Sequence, residues 1–390
     1  MVDSFAGVIN HQKAMKTILN PLIILITTTM LNSCIASRQS ISHVTYTDDT
    51  TMEIIRYASL AGSSHNTQPW LVDVVSDTLI HIRADYTRKL QVVDPTARGL
   101  YISLGAFIEN MCQAALSFGF DPQVHLTIGE SRDNLVAEVI LTPIFSSGNE
   151  SVTEERSVTP GIEKDMLRKL EERSTLRIPF NEDEISIAHI EKITGGITNG
   201  YHFIPAASAE GKYISSVTSE AYRQQSNDEA AKNELTGWIR FSNSDVRKRR
   251  DGLTTSGMGI NGFAGFIVSR VYKPEDSKKQ SFVDTGVEKA RLQTEKCGGW
   301  LVITQTDDTP VNWIATGRLY QRTHLECRDL MIGLHPMNQM IEVENFEEDS
   351  NMFLNLGGRI QFVARIGYVD SYPSPVSVRR DVSEFTTDLR

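Results

Sequence analysis

SSHNTQPW, residues 63–70, brings three hydroxyls, an imidazole and two side-chain amides into one short stretch and closes it with Pro69-Trp70. No nucleophile stands there beside a base, and the spacing suits no metal. The composition is that of a binding loop, and Pro69 followed by the apolar WLVDVVS marks the step from loop to strand.

Working outward, TMEIIRYASLAG before the loop reads as a helix, and WLVDVVS and TLIHIRA after it read as two strands. LYISLGAFIENMCQAALSFGF follows, with Leu100, Leu104, Phe107, Ile108, Met111, Ala115 and Phe118 at helical spacing. HLTIGE and VAEVILTPI complete an α+β pattern. Residues 147–162, SGNESVTEERSVTPGI, are polar and carry Pro160-Gly161, so a boundary falls there.

The second half opens with DMLRKLEERSTLRIPF, a charged amphipathic helix expected to run to Pro179. SIAHIEKITGG reads as a helix with a glycine stop, YHFIPA as a strand, and a long polar helical stretch is expected to about residue 250. GWLVITQT, the long helix NWIATGRLYQRTHLECRDLMIGL and the strand GRIQFVARIGYV follow. The two long helices carry small residues near their starts, Gly105 and Gly317, and end in Gly119-Phe120 and Gly333-Leu334. This self-similarity predicts two diverged copies of one α+β unit, spanning 51–150 and 163–390.

The charge balance narrows the partners. With 39 Lys+Arg against 49 Asp+Glu, a net charge of −10 repels the phosphate backbone on which nucleic-acid binding depends. An anionic ligand must be held by local cations. Beyond Cys34, the cysteines Cys112, Cys297 and Cys327 are odd in number and widely spaced, which argues against a disulfide framework or a zinc site.

The first 50 residues read as export and tether. Ile18 to Leu31 is apolar but falls short of the roughly 20 residues a spanning helix needs, and it suits a signal-peptide core. Leu31-Asn32-Ser33-Cys34 resembles a bacterial lipoprotein box. The resemblance implies removal of 1–34, lipidation at Cys34, a polar tether over 35–50, and a start at Met1 or Met15. The body would then be held at a membrane surface in the bacterial cell envelope, on the periplasmic side.

Two further stretches bear on chemistry. GMGING, 257–262, fits G-x-G-x-x-G, but VRKRRDGLTTS before it is no buried strand, so a dinucleotide fold is not expected. A lid-like glycine-rich loop over 251–266 is. Arg173-Ser174-Thr175, with Arg177, gathers two guanidiniums and two hydroxyls at a helix end, the donors a phosphate needs. Arg379 and Arg380 add a cationic pair near the C-terminus.

HNTQPW after Ala-x-x-Ala-Gly-Ser-Ser resembles the A-P-S-x-x-N-x-Q-P-W loop of FMN-dependent nitroreductases. RSTLR with Phe180 resembles their R-x-S/T-x-R-x-F opening, and GYVDSYPSPVSVRRDVSEF resembles their ending. In that family the arginine motif precedes the loop; here it follows. The resemblance is therefore to the fused Acg branch, and it implies a nitroreductase-like pseudo-dimer holding one FMN under a lid.

Carried over residue by residue, it gives Arg173 and Arg379 to the phosphate, with Ser174 and Thr175 adding donors, and Arg177 to the pyrimidine edge. Ser63, Ser64 and Asn66 contact the flavin from the other half. HPMNQ, 335–339, stands where the family sets backbone donors against flavin N5, without the usual Glu-Gly. No catalytic side chain and no metal are expected.

Three functions follow: an oxidoreductase passing electrons to a small nitro or quinone acceptor, a flavin-sequestering lipoprotein, or a binding module that has lost the flavin. A homodimer of the pseudo-dimer is a further possible assembly.

Overall fold

The computed structural model describes residues 49–128, 134–144 and 162–390. The lipobox, Cys34, nearly all of the tether and most of the 147–162 connection lie outside the described residues. Within Thr47–Arg390, one compact unit, helix and sheet are mixed as the α+β pattern predicts.

Asp49 caps the first helix, α1 (Thr50–Ala58), its carboxylate accepting from the Thr51 and Met52 amides. Beyond the 63–70 loop come β1 (Trp70–Ser76), β2 (Leu79–Ala84), α2 (Arg98–Ser117), β3 (Phe120–Leu126) and β4 (Leu135–Pro143). Strand β3 starts earlier than HLTIGE suggested, because it pairs from Phe120↔Pro143 to Leu126↔Ala137 along β4. Pairing reaches past the apolar run that was the sequence signal.

The second half holds α3 (Ile162–Glu172), α4 (Ile187–Thr194) and β5 (Tyr201–Pro205). Helix α3 stops at Glu172, seven residues short of Pro179. From Arg173 the chain is drawn inward, where Leu176 packs in the core and its amide meets the Leu334 carbonyl. The polar stretch to 250 is broken into α5 (Ala209–Asn227), α6 (Glu229–Trp238), β6 (Ile239–Arg240) and α7 (Asn243–Arg249), since Asp228 and Ser242 each cap a fresh helix.

Next come β7 (Leu253–Thr254), α8 (Gly262–Val271), α9 (Gln280–Glu295), β8 (Gly299–Gln305) and α10 (Pro310–Cys327). The glycine-rich loop is thus shorter than 251–266, and what leads up to it is helix α7 followed by the two-residue β7 rather than a long buried strand. The chain ends with β9 (Ile332–Pro336), α11 (Gln339–Glu342), α12 (Glu344–Leu354), β10 (Arg359–Tyr368) and β11 (Thr386–Asp388).

Two sheets form. One has the order β11-β1-β2-β4-β3 and the other β5-β8-β10-β9. Setting aside β11, which the C-terminal tail lays parallel to β1 at Val72↔Thr386, the two orders correspond strand for strand. Between the sheets α2 packs on α10. A Cβ on Gly105 would lie 2.2 Å from the Ile314 carbonyl oxygen, and one on Gly317 would lie 2.0 Å from that of Ile102. The contact is reciprocal, and only glycine permits it.

The same interface buries charge. Glu109, fully enclosed on α2, accepts from Arg318 at 3.0 Å and Arg322 at 2.9 Å. Burial alone would raise its carboxyl, but the two α10 guanidiniums more than offset this and hold it low. Around this seam runs a core in which Trp70 stacks on Phe107 at 4.8 Å. Cys112, Cys297 and Cys327 are buried free thiols.

Candidate functional site

The 63–70 loop follows α1 and turns sharply. His65, Asn66 and Gln68 adopt φ of 48°, 53° and 53°, left-handed conformations that cost non-glycine residues about 1 kcal/mol or more each. Hydrogen bonds hold the turn. Ser63 Oγ accepts from the Gln68 amide at 3.0 Å, and the Ser64 amide donates to Ser103 Oγ on α2 at 3.2 Å.

The loop is also clamped from the other half. Asn66 Nδ2 donates to the Gly252 and Val378 carbonyls, and Gln68 Nε2 donates to that of Arg250. Arg380 reaches the Gln68 and Trp70 carbonyls at 2.6 and 3.0 Å. Of the C-terminal pair, Arg380 therefore fastens the loop to the start of β1, while Arg379 holds it at Asn66 and at the carbonyls just before it.

Arg379 donates to Asn66 Oδ1 at 3.1 Å and, through Nη2, to the Leu60 and Ala61 carbonyls at 3.0 and 3.1 Å. Arg173, just past the end of α3, donates to the same Leu60 carbonyl at 3.0 Å. Neither arginine forms an ion pair among the described residues, and the Nε of each is buried without a partner. Burial first, and Arg173 second, push Arg379 down to about 9. Among the described residues no carboxylate pairs with either cation.

Helix α10 backs this cradle with Tyr320 and His324, one turn apart. His324 Nε2 donates to the Ser174 carbonyl at 3.1 Å, so its Nδ1 accepts from Tyr320 at 3.1 Å and lies 3.4 Å from Arg173 Nη1. Burial and Arg173 keep His324 neutral. Tyr372 donates to the Ser174 carbonyl at 3.2 Å. Gly62 is the close neighbour: a Cβ there would sit 3.2 Å from the Tyr320 hydroxyl.

A second cationic group lies beyond Leu176. Arg177 donates to the Gly257 carbonyl at 2.7 Å, and Lys289, on α9, donates to the Met258 and Gly259 carbonyls at 2.8 and 3.1 Å. Burial, then Arg177 and Arg365, depress Lys289. Arg365, on β10, is fully buried and pushed down to about 9, chiefly by burial, and its Nη1 has no partner. Its Nε donates to His335 Nδ1 at 3.0 Å. His65 has a buried Nδ1 without a partner; burial, opposed by Glu234 and aided by Arg177, pushes it down to about 4.

The structure thus brings Asn66, Arg173 and Arg379 together, sets Ser174 and Thr175 beside them, and places Arg177 in the second group. Lys289, Arg365, Tyr320 and His324 were missed. Tyr320 and His324 left a signal, polar residues one turn apart on an apolar-periodic helix. Lys289 left none, sitting in an ordinary polar helix. In HPMNQ, the Met337 amide is taken by the Val363 carbonyl at 2.9 Å and Asn338 Oδ1 accepts from the Val363 amide.

No group of acids, histidines and cysteines suited to a metal occurs among the described residues, and no described helix is long and apolar enough to cross a membrane. No family model matches the chain, and no curated protein does. Among solved structures, it is similar to a nitroreductase with bound FMN from Desulfitobacterium hafniense, at TM-score 0.32 and 12% identity over 54% of this chain and 92% of that one. It is also similar to the FMN-dependent nitroreductase NfnB from Mycobacterium smegmatis, seen in complex with NADPH, at TM-score 0.37 and 14% identity over 58% of this chain and 99% of that one.

Proposed function

We propose that the chain is an FMN-binding oxidoreductase of nitroreductase-like fold, two diverged copies of one unit fused as a pseudo-dimer with a single flavin between residues 51–150 and 163–390. One observation carries this reading. Arg173 and Arg379 converge on one carbonyl with no carboxylate to neutralise them, and a phosphate dianion would satisfy both forks. The matched sheet orders and the reciprocal Gly105 and Gly317 contacts support the duplication.

The donor set fits the whole group. Arg173 and Arg379 would hold the phosphate, Ser174 and Thr175 stand beside them, and Arg177 with Lys289 would face the electron-rich edge of the ring. Ser63, Ser64 and Asn66 would close the site from the other half. Bound FMN would supply reversible two-electron chemistry, for a small nitro or quinone acceptor. The protein binds, orients and sets the electrostatics, with no catalytic side chain of its own.

A second reading, flavin sequestration with little turnover, is favoured by one feature: the carbonyls of 257–259 cap both Arg177 and Lys289, so the glycine-rich loop would lie over the ring end of a bound flavin. Export with lipidation at Cys34 into the bacterial envelope belongs to the same proposal, and it favours a donor other than cytoplasmic NADPH. An absorption spectrum after reconstitution with FMN tests both readings. Flavin bands that bleach under anaerobic NADPH support the enzyme. Bands that bleach only with dithionite support sequestration or a different donor; no bands at all would remove both.

A further inference from the structure

Helix α8 starts at Gly262, where the glycine-rich stretch ends, and its sequence GFAGFIVSRV holds no acidic residue. At 100° per residue, Phe266, Arg270, Ile267 and Val271 fall within an arc of roughly 140°. That face looks outward: Phe266 is 48% exposed, Val271 68%, and the adjoining Tyr272 38%. Scattered exposed apolar residues are ordinary, whereas a contiguous set on one helix face marks an interaction site.

Cations border this face. Arg270 lies over the Phe266 ring, its guanidinium carbon 5.5 Å from the centroid. Arg247 of helix α7 and Arg270 of α8 line one cleft of about 340 Å³. Arg247, Lys248 and Arg249 are exposed. Among the described residues, none of these three, nor Arg270 or Lys273, forms an ion pair. In a chain of net charge −10, so many free cations around an apolar helix run against the overall charge.

We propose that the α7–α8 face seats on an anionic phospholipid surface. Phe266, Ile267 and Val271 enter the boundary between headgroups and acyl chains, and Arg247 and Arg270 meet the headgroup phosphates from the cleft between them. An apolar face with a cationic border is the pattern of an interfacial helix, and the attraction of each basic residue to anionic lipid adds to the apolar term. A second copy of this chain suits the face less well, because a twofold contact would set the two cationic borders against each other. The inference does not depend on flavin binding.

The test uses the full chain carrying Val271→Trp, with Phe266→Trp as a second reporter on the same face. Brominated-lipid vesicles are compared, rich in phosphatidylglycerol or made of phosphatidylcholine alone. The emission gained over the parent protein, whose four tryptophans give the background, reports on this face and separates it from any contact made by the N-terminus. The expected result is a blue-shifted, quenched signal with phosphatidylglycerol, above that of the parent protein. Arg247→Glu with Arg270→Glu should weaken partitioning at least tenfold, as should raised salt. Unchanged emission from both reporters would overturn the proposal, and so would quenching indifferent to lipid charge and to the charge reversal. Sedimentation showing a dimer that Val271→Asp dissolves would assign the face to a second copy instead.

Discussion

Arg173 and Arg379 donate to one acceptor, each with Nη2 3.0 Å from the Leu60 carbonyl oxygen. They come from opposite ends of the second half, yet they meet on the residue that leads into the 63–70 loop. Two cations sharing one carbonyl oppose each other, and folding sustains that cost only because the surrounding packing fixes both side chains.

Binding and stability should therefore respond in opposite directions to their removal. Arg173→Gln and Arg379→Gln are each expected to weaken FMN binding by about a hundredfold or more, near 2.7 kcal/mol, the scale of a lost charge-assisted fork. The melting temperature without FMN should stay level or rise as the like-charge contact is relieved. Titration calorimetry with a thermal melt reads both; a fall in stability with FMN affinity intact would make the pair structural.

The second cationic group should govern potential more than affinity. Lys289→Met removes a charge near Arg177 while leaving the phosphate cradle whole. Losing one stabilising cation near the reduced ring should lower the flavin midpoint potential by on the order of 30 mV, equivalent to about 1.4 kcal/mol. FMN affinity should change less than tenfold. Spectroelectrochemistry of Lys289→Met beside Arg173→Gln checks the division, and equal affinity losses with unshifted potentials would refute it.

Acid should destabilise the fold through its buried histidines. His324 and His335 are held neutral, chiefly by burial and then by arginine neighbours. As pH falls below about 6.5, the unfolded chain binds protons that the folded chain refuses, so stability drops as pH drops, by about 1.4 kcal/mol per pH unit for each group. His324→Gln keeps a donor for the Ser174 carbonyl and an acceptor for Tyr320, and it should flatten the slope by one proton. Denaturation midpoints between about pH 6.5 and 4.5 would show it.

What the sequence disclosed was local. SSHNTQPW stood out because amides, hydroxyls and an imidazole crowd into one loop before Trp70 enters the core, and RSTLR stood out because its donors are consecutive. Lys289 and Arg365 stayed hidden because nothing near either in sequence shares its role; only the packing of α9 and β10 brings them to Arg177. Helix α3 was overextended for a related reason. Its amphipathic pattern runs past Glu172, and only the tertiary pull on Leu176 ends it.

The long-helix seam offers the sharpest test of the fold. Because a Cβ at Gly105 or Gly317 would press within 2.0 to 2.2 Å of a carbonyl oxygen, alanine at either position must push α2 and α10 apart. That separation would loosen the Glu109 pairs with Arg318 and Arg322 as well as the Gln321–Asn110 bond, 2.7 Å long. Each substitution is expected to cost about 3 kcal/mol or more, the range for overpacking joined to a strained buried ion pair. Since both changes force the same shift, the double variant should cost clearly less than the two singles combined. Urea denaturation of the four proteins gives the cycle, and fully additive losses would mean that the glycines act separately.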